Sequence, residues 1–290
     1  MRWRRGPRSG NLRDQRGQGS GAGFNIPLVA KGGVPALLLL LVVFLLNSGV
    51  LGGGGGIDVP GVDLPAAEAP AGPGQTTGPD PDADLVAFVS FVLDDVQTVW
   101  KSKFEQAGKT YRDADLVLFD DSVETGCGGA TSEVGPFYCP ADQTVYLDLG
   151  FFRELQRRFG APGDFAQAYV IAHELGHHVQ NVLGITSDVQ QESALHSDGA
   201  NDLSIKTELQ ADCLAGVWGF TTQQRDLLET GDVGEGLKAA AAVGDDRIQR
   251  QATGGINPET WTHGSSEQRV RWFRQGFTGG DPADCDTFSA

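Results

Sequence analysis

Apolar residues fall at helical spacing from Leu85 to Ala107, where Val89, Val92, Leu93, Val96, Trp100 and Phe104 share one face. Such a stripe predicts an amphipathic helix with one buried side. Asp115–Phe119 (DLVLF) and Thr144–Asp148 (TVYLD) are short runs rich in β-branched and aromatic residues, and they predict strands. Helical patterning returns over Phe151–Phe159, Asp164–Leu183, Leu203–Phe220, Val233–Gln251 and Ser265–Gln275. The polar stretch Ser187–Asp202, with His196 inside it, reads as surface. There is no internal repeat. Helices dominate over strands, so the pattern predicts an α+β fold, mostly helical, with a small antiparallel sheet.

The N-terminal part follows another pattern. Arg2, Arg4, Arg5, Arg8, Arg13, Arg16 and Lys31 stand against a single acid, Asp14. Gly33 to Leu51 then carries no charge and centres on ALLLLLVVFLL (Ala36–Leu46). That length is close to the roughly 20 residues of a membrane helix, although Pro35, Asn47 and Ser48 weaken its ends. A cleaved signal peptide is the rival reading, but its basic region would be unusually long and no clear Ala-x-Ala site follows. The expectation is one uncleaved transmembrane signal anchor at residues 33–51. The positive-inside rule then places residues 1–32 in the cytoplasm as a basic tail. Gly52–Gly56 and the Pro/Ala/Asp-rich stretch after it read as a flexible linker, residues 52–84. Residues 85–290 are left as one globular domain outside the cytoplasm.

Charge and cysteines agree with an exported domain. The chain carries a net charge of −16 despite its basic start. An acidic domain disfavours nucleic acid as a partner. Four cysteines allow three pairings in an oxidising compartment. Cys127 and Cys139 bracket a short Gly-rich loop and form the natural first pair. Cys213 is then left with Cys285, which ties a helix to the C-terminal tail.

The candidate chemistry begins at His173-Glu174-Leu175-Gly176-His177, a His-Glu-x-x-His pattern. Residues four apart lie only about 40° apart on a helix, so both rings reach one metal. Glu174 projects beside them and is placed to take a proton from an attacking water that zinc acidifies. A third ligand is expected from Glu208, and Asp212 lies one turn further on. Asp212 is placed to accept a hydrogen bond from the free ring nitrogen of a zinc-bound histidine, His173 first of all. His178 points about 100° away from His177 and reads as a packed histidine. Cys213, about 140° round from Glu208, should face away from the metal.

This ligand set resembles the gluzincin metallopeptidases. A wider set of motifs is more specific: Cys127-Gly, GPFYCP (Gly135–Pro140), VYLD (Val145–Asp148), HELGHHVQ (His173–Gln180), ELQADC (Glu208–Cys213), THGSSEQR (Thr262–Arg269) and CDTF (Cys285–Phe288). Together they resemble the bacterial putative neutral zinc metallopeptidase family. The resemblance runs from the basic start to the C-terminus. It implies a zincin-like domain, one Zn2+ per chain on His173, His177 and Glu208, and hydrolysis of a peptide or protein substrate. A second resemblance is local. His263 stands six residues before Arg269, as in the His-Pro-x-x-x-x-Arg segment of membrane-bound CAAX prenyl protease relatives, with Gly264 replacing the proline. It implies that His263 or Arg269 donates a hydrogen bond to the oxyanion formed as water attacks. The plainer reading is that His263 and Ser265 cap the last helix while Arg269 pairs with an acid. An edge strand is expected to pair with extended substrate, with Val145–Leu149 the candidate.

The reading is therefore a membrane-anchored zinc peptidase acting outside the cytoplasm. Two alternatives stand beside it: a non-catalytic zinc-stabilised envelope scaffold, and a zinc amidase acting on a cell-wall component. A purely structural zinc site normally has four closed protein ligands and needs no general base, so Glu174 argues against the scaffold.

Overall fold

The computed structural model describes residues 1–17, 80–158 and 160–289. The expected anchor at 33–51, and the linker up to residue 79, lie outside the described residues. Among the described residues no helix is long and apolar enough to cross a membrane.

The predicted apolar stripe becomes α1 (Ala83–Gln106), whose Val89, Val92, Leu93, Val96 and Trp100 are at most 1% exposed. Each such side chain contributes about 1.5–3 kcal/mol on burial, so this face alone fixes how α1 docks. Among the described residues four strands form the main sheet: β1 (Leu12–Asp14), β2 (Asp115–Leu118), β5 (Phe137–Cys139) and β6 (Thr144–Leu147). Their order is β1-β2-β6-β5. β1 and β2 run parallel, as do β2 and β6, and only β5 is antiparallel to its neighbour. The sheet is thus mixed where an antiparallel one was expected. β3 (Ser122–Thr125) and β4 (Gly128–Thr131) form a separate antiparallel hairpin. Cys127 in its turn is bonded to Cys139 of β5, Cα to Cα 5.9 Å.

β6 is an interior strand, buried at every position. This corrects the expectation that Val145–Leu149 is an open edge, because both sides of β6 are already hydrogen-bonded. Among the described residues the edges are β1 and β5.

The second half of the chain is helical. α2 (Gly150–Arg157) leads to α3 (Asp164–Leu183), α4 (Ile185–Leu195), α5 (Ala200–Gln224), α6 (Asp232–Ala242), α7 (Asp245–Thr253) and α8 (Ser266–Gly279). α3 keeps the predicted bounds. The single helix expected over Val233–Gln251 is two, broken at Val243-Gly244. A Cβ at Gly244 would lie 2.4 Å from the Ser266 nitrogen, so the break is where the start of α8 packs in. α4 was not predicted from the sequence, and none of its residues is buried.

The first seventeen residues belong to this same domain. Met1 and Leu12 are buried, and Trp3 packs edge-on against Phe88 of α1. The Ser9 N–H donates to Ser90 Oγ at 2.7 Å, and Leu116 N–H donates to the Asn11 carbonyl at 2.8 Å. Arg13 pairs with Asp115, and Arg16 with Asp14 and Asp80. Arg5 pairs with Asp84 of α1, while Arg8 pairs with Asp14 inside the segment. β1 of this segment pairs with β2 of the domain, while the run expected to cross the membrane lies outside the described residues.

Candidate active site

Two helices build the site by crossing closely. A Cβ at Gly176 of α3 would lie 3.0 Å from the Ala211 carbonyl and 3.1 Å from its Cα. The glycine thus lets α5 approach near enough for Glu208 to meet both histidines. Glu208 Oε2 lies 3.2 Å from His173 Nε2, and Oε1 lies 3.4 Å from His177 Nε2. Zinc bonds of about 2.0–2.2 Å in a tetrahedron put neighbouring ligand atoms roughly 3.3–3.6 Å apart. Glu208 therefore stands close to that spacing from both histidines, and the donor atoms of the three predicted ligands all lie within 4.8 Å of one another.

The electrostatics favour a cation as well. Burial works against a charged His173, but Asp212 and Glu208 more than offset it and raise its pKa to about 10. The ring attracts a proton there unless a metal takes its place. Burial also opposes a charged Glu208, yet the two histidines hold its carboxyl well below the usual range. Glu174 is 8% exposed, and burial pushes its pKa up. A carboxylate that binds protons more readily is suited to general-base work.

Partners behind the ligands fix their orientation. His173 Nδ1 donates to Asp212 Oδ1 at 3.0 Å, as the sequence predicts. Asp212 also accepts from the hydroxyl of Tyr169 and from Arg269, whose Nε lies 2.7 Å from Oδ2. His177 Nδ1 donates to Gln180 Oε1 at 2.8 Å. Gln180 in turn donates to the Thr207 carbonyl at 2.8 Å and to Gln210 Oε1 at 3.1 Å, and Gln210 donates to the Cys285 carbonyl at 3.0 Å. With Nδ1 so engaged, both rings turn Nε2 toward Glu208, and His173 Nε2 also lies 3.3 Å from Arg269 Nη2. Gln180 and Tyr169 were missed from the sequence. Gln180 lies three residues after His177, on the same helical face, and that spacing was the available signal.

The remaining predictions sort themselves. His178 is fully buried; Nε2 donates to the Arg112 carbonyl at 2.7 Å and Nδ1 accepts from Tyr138. His196 is exposed beside Glu192. Cys213 is bonded to Cys285, Cα to Cα 5.5 Å, away from the ligands, so both predicted pairings are present. Ser265 caps α8, with Gln268 completing a capping box, and Arg269 pairs with an acid, Asp212. His263 does not join the three ligands; its Nδ1 lies 3.2 Å from Asp245 Oδ1.

Comparison with known proteins settles the family. The sequence pattern described as putative neutral zinc metallopeptidase matches residues 1–288. The chain belongs to this family. Within the putative neutral zinc metallopeptidase family it is 45% identical to the uncharacterised protein YpfJ of Escherichia coli (strain K12) over 296 residues, 99% of each chain. It is 48% identical over 225 residues to uncharacterised proteins of Mycobacterium bovis and Mycobacterium tuberculosis, 74% of each chain. No solved structure matches it. The family name implies zinc, and His173, His177 and Glu208 fit that ion in donor type, spacing and charge.

Proposed function

We propose that this protein is a zinc-dependent peptidase that hydrolyses peptide bonds of peptide or protein substrates outside the cytoplasm. One observation carries the reading. Glu174 sits on α3 between the two histidine ligands, buried, with its pKa raised, and is not itself in the ligand set. A site that only stabilised the fold would have no use for it.

His173, His177 and Glu208 would hold one ion. When bound, zinc supplies a Lewis acid that polarises the scissile carbonyl and acidifies the attacking water. Glu174 takes the proton from that water and passes it to the leaving amine nitrogen. Asp212 and Gln180 keep the two histidine rings turned so that Nε2 faces the ion. Arg269 donates to Asp212 behind His173, and its Nη2 also lies 3.3 Å from His173 Nε2; this reading takes His263 as the oxyanion donor. Action outside the cytoplasm is supported by the two disulfides, which persist in oxidising compartments. Attachment to a membrane is supported by the uncharged run Gly33–Leu51.

A peptide-library digest by the purified full chain tests the reading. The wild type should cleave, and Glu174→Gln should lose about 10²–10⁴-fold or more of turnover while keeping its zinc. His263→Ala should lose roughly 10²–10³-fold, again with zinc retained. Zinc-loaded wild type that cleaves no peptide, or Glu174→Gln with wild-type turnover, would sink the proposal.

A further inference from the structure

Asp245 opens α7 and is 8% exposed. Its two oxygens do different work. Oδ2 accepts three backbone N–H groups: Thr262 at 2.8 Å, His263 at 2.6 Å and Gly264 at 3.1 Å. Oδ1 lies 3.2 Å from His263 Nδ1, and Thr262 Oγ1 lies 3.0 Å from the same nitrogen. The Asp245 N–H completes the tie by donating to the Gly264 carbonyl at 2.9 Å. One oxygen would suffice to hold the 262–264 turn, and the other engages the ring.

The turn rests on the ligand helix. Ser204 Oγ of α5 donates to the Thr262 carbonyl at 2.9 Å. A Cβ at Gly264 would lie 3.2 Å from Ile205 and 3.4 Å from Leu209, which bracket Glu208. Among the described residues His263 Nε2 makes no hydrogen bond, and 26% of the side chain is exposed. Three charged groups act on the ring: Asp245 from α7, Glu208 from α5 and Arg269 from α8. Burial and Arg269 oppose its charged form, the two carboxylates favour it, and the net direction is upward.

That arrangement matters chemically. A neutral ring that donates through Nδ1 to Asp245 carries a lone pair at Nε2, which repels an oxyanion. Only the imidazolium presents an N–H there.

We infer that Asp245 is a positioning residue for hydrolysis: by engaging His263 Nδ1 it turns Nε2 toward the scissile group beside His173, His177 and Glu208. The inference rests on the peptidase reading above. Asp245→Asn is the test, because the amide oxygen still accepts from the three N–H groups while the amide nitrogen faces Nδ1. NMR titration of the His263 ring in the full chain, assigned with His263→Gln, should show a lower midpoint in D245N than in wild type. With a peptide substrate, kcat should fall about 10- to 100-fold with KM changed little, and the alkaline limb of kcat should move to lower pH. A folded, zinc-loaded D245N with the wild-type ring titration and pH profile would overturn the inference. Should D245N fail to fold, ring nitrogen shifts of wild type at high pH decide: a proton on Nδ1 supports the inference, and one on Nε2 overturns it. A shifted ring titration in D245N, with no peptide cleaved by wild type, would keep the Asp245–His263 coupling and discard the peptidase reading.

Discussion

Arg269 and Asp212 form a buried ion pair directly behind the first metal ligand. Arg269 Nε lies 2.7 Å from Asp212 Oδ2 and Nη2 lies 3.0 Å from Oδ1, with side chains 3% and 0% exposed. Asp212 turns the remaining direction of Oδ1 to His173 Nδ1. The pair exists because α5 and α8 touch backbone to backbone. A Cβ at Gly216 would lie 2.1 Å from the Phe273 carbonyl, and one at Gly276 would lie 1.9 Å from the Cys213 carbonyl. The C-terminal helix is thereby coupled to the orientation of a metal ligand on α3.

Arg269→Met should be strongly destabilising, because it leaves the Asp212 charge buried without its main partner. Removing one member of such a pair costs about 3–5 kcal/mol. Urea unfolding of zinc-loaded protein measures it. A loss under about 1 kcal/mol would show that Tyr169 and His173 alone satisfy Asp212. The double variant Arg269→Met with Asp212→Leu should regain much of the stability, while binding zinc more weakly than wild type because His173 has lost its acceptor.

Gln180→Leu keeps the side-chain volume but removes the acceptor for His177 Nδ1. Zinc affinity should fall about 10- to 100-fold, as losses of this kind usually do. Competition against a chelator checks it. An unchanged affinity would mean that His177 needs no fixed tautomer.

The site was legible because its chemistry is helical. His173, His177, Glu208 and Asp212 are i, i+4 pairs, and one helix crossing brings the pairs together. The apolar stripes of α1 and α3 were legible for the same reason. β1 was not: Leu-Arg-Asp carries no apolar run, and its ladder partner lies about a hundred residues away. α4 was missed because an exposed helix has no buried face to leave a period in the sequence. The break between α6 and α7 is imposed by Ser266 packing on Gly244, a tertiary contact that local patterning does not carry. Asp245 stands eighteen residues before His263 on another element, so no spacing rule joins them.

Acid should weaken the fold through Asp212 and Asp245. Burial opposes the charge of each, but Arg269 and His173 hold Asp212 below the usual range, and His263 and backbone donors do so for Asp245. A depressed folded pKa stabilises above the unfolded value of about 3.9 and loses that contribution as pH falls through the folded value. The contribution of these two carboxylates to the unfolding free energy should therefore be constant near neutrality and decline below about pH 4. Asp212→Asn should be less stable than wild type at pH 7, with a shallower decline in acid. Parallel curves for the two proteins would remove Asp212 from this account.

The pairing of β1 with β2 makes the last prediction. Gly10 and Lys109 are both exposed, and each precedes its own strand of that ladder in the chain. The four native cysteines are all in disulfides, so single cysteines introduced at these positions are the reactive ones. In intact cells a membrane-impermeant maleimide should label Gly10→Cys and Lys109→Cys alike, or neither. Residue 109 labelled and residue 10 protected would mean that the ladder is not formed in the cell, and would restore the basic segment to the far side of the membrane. Deleting residues 1–17 should agree with the labelling. The deletion uncovers Phe88 and Leu116, 3% and 0% exposed in the whole domain, and opens the β2 edge. Burial of large apolar side chains is worth about 1.5–3 kcal/mol each, so the truncated chain should melt several degrees lower and associate through its bared strand. A truncated chain with wild-type melting and a monomeric elution profile would show that the segment is dispensable to the fold.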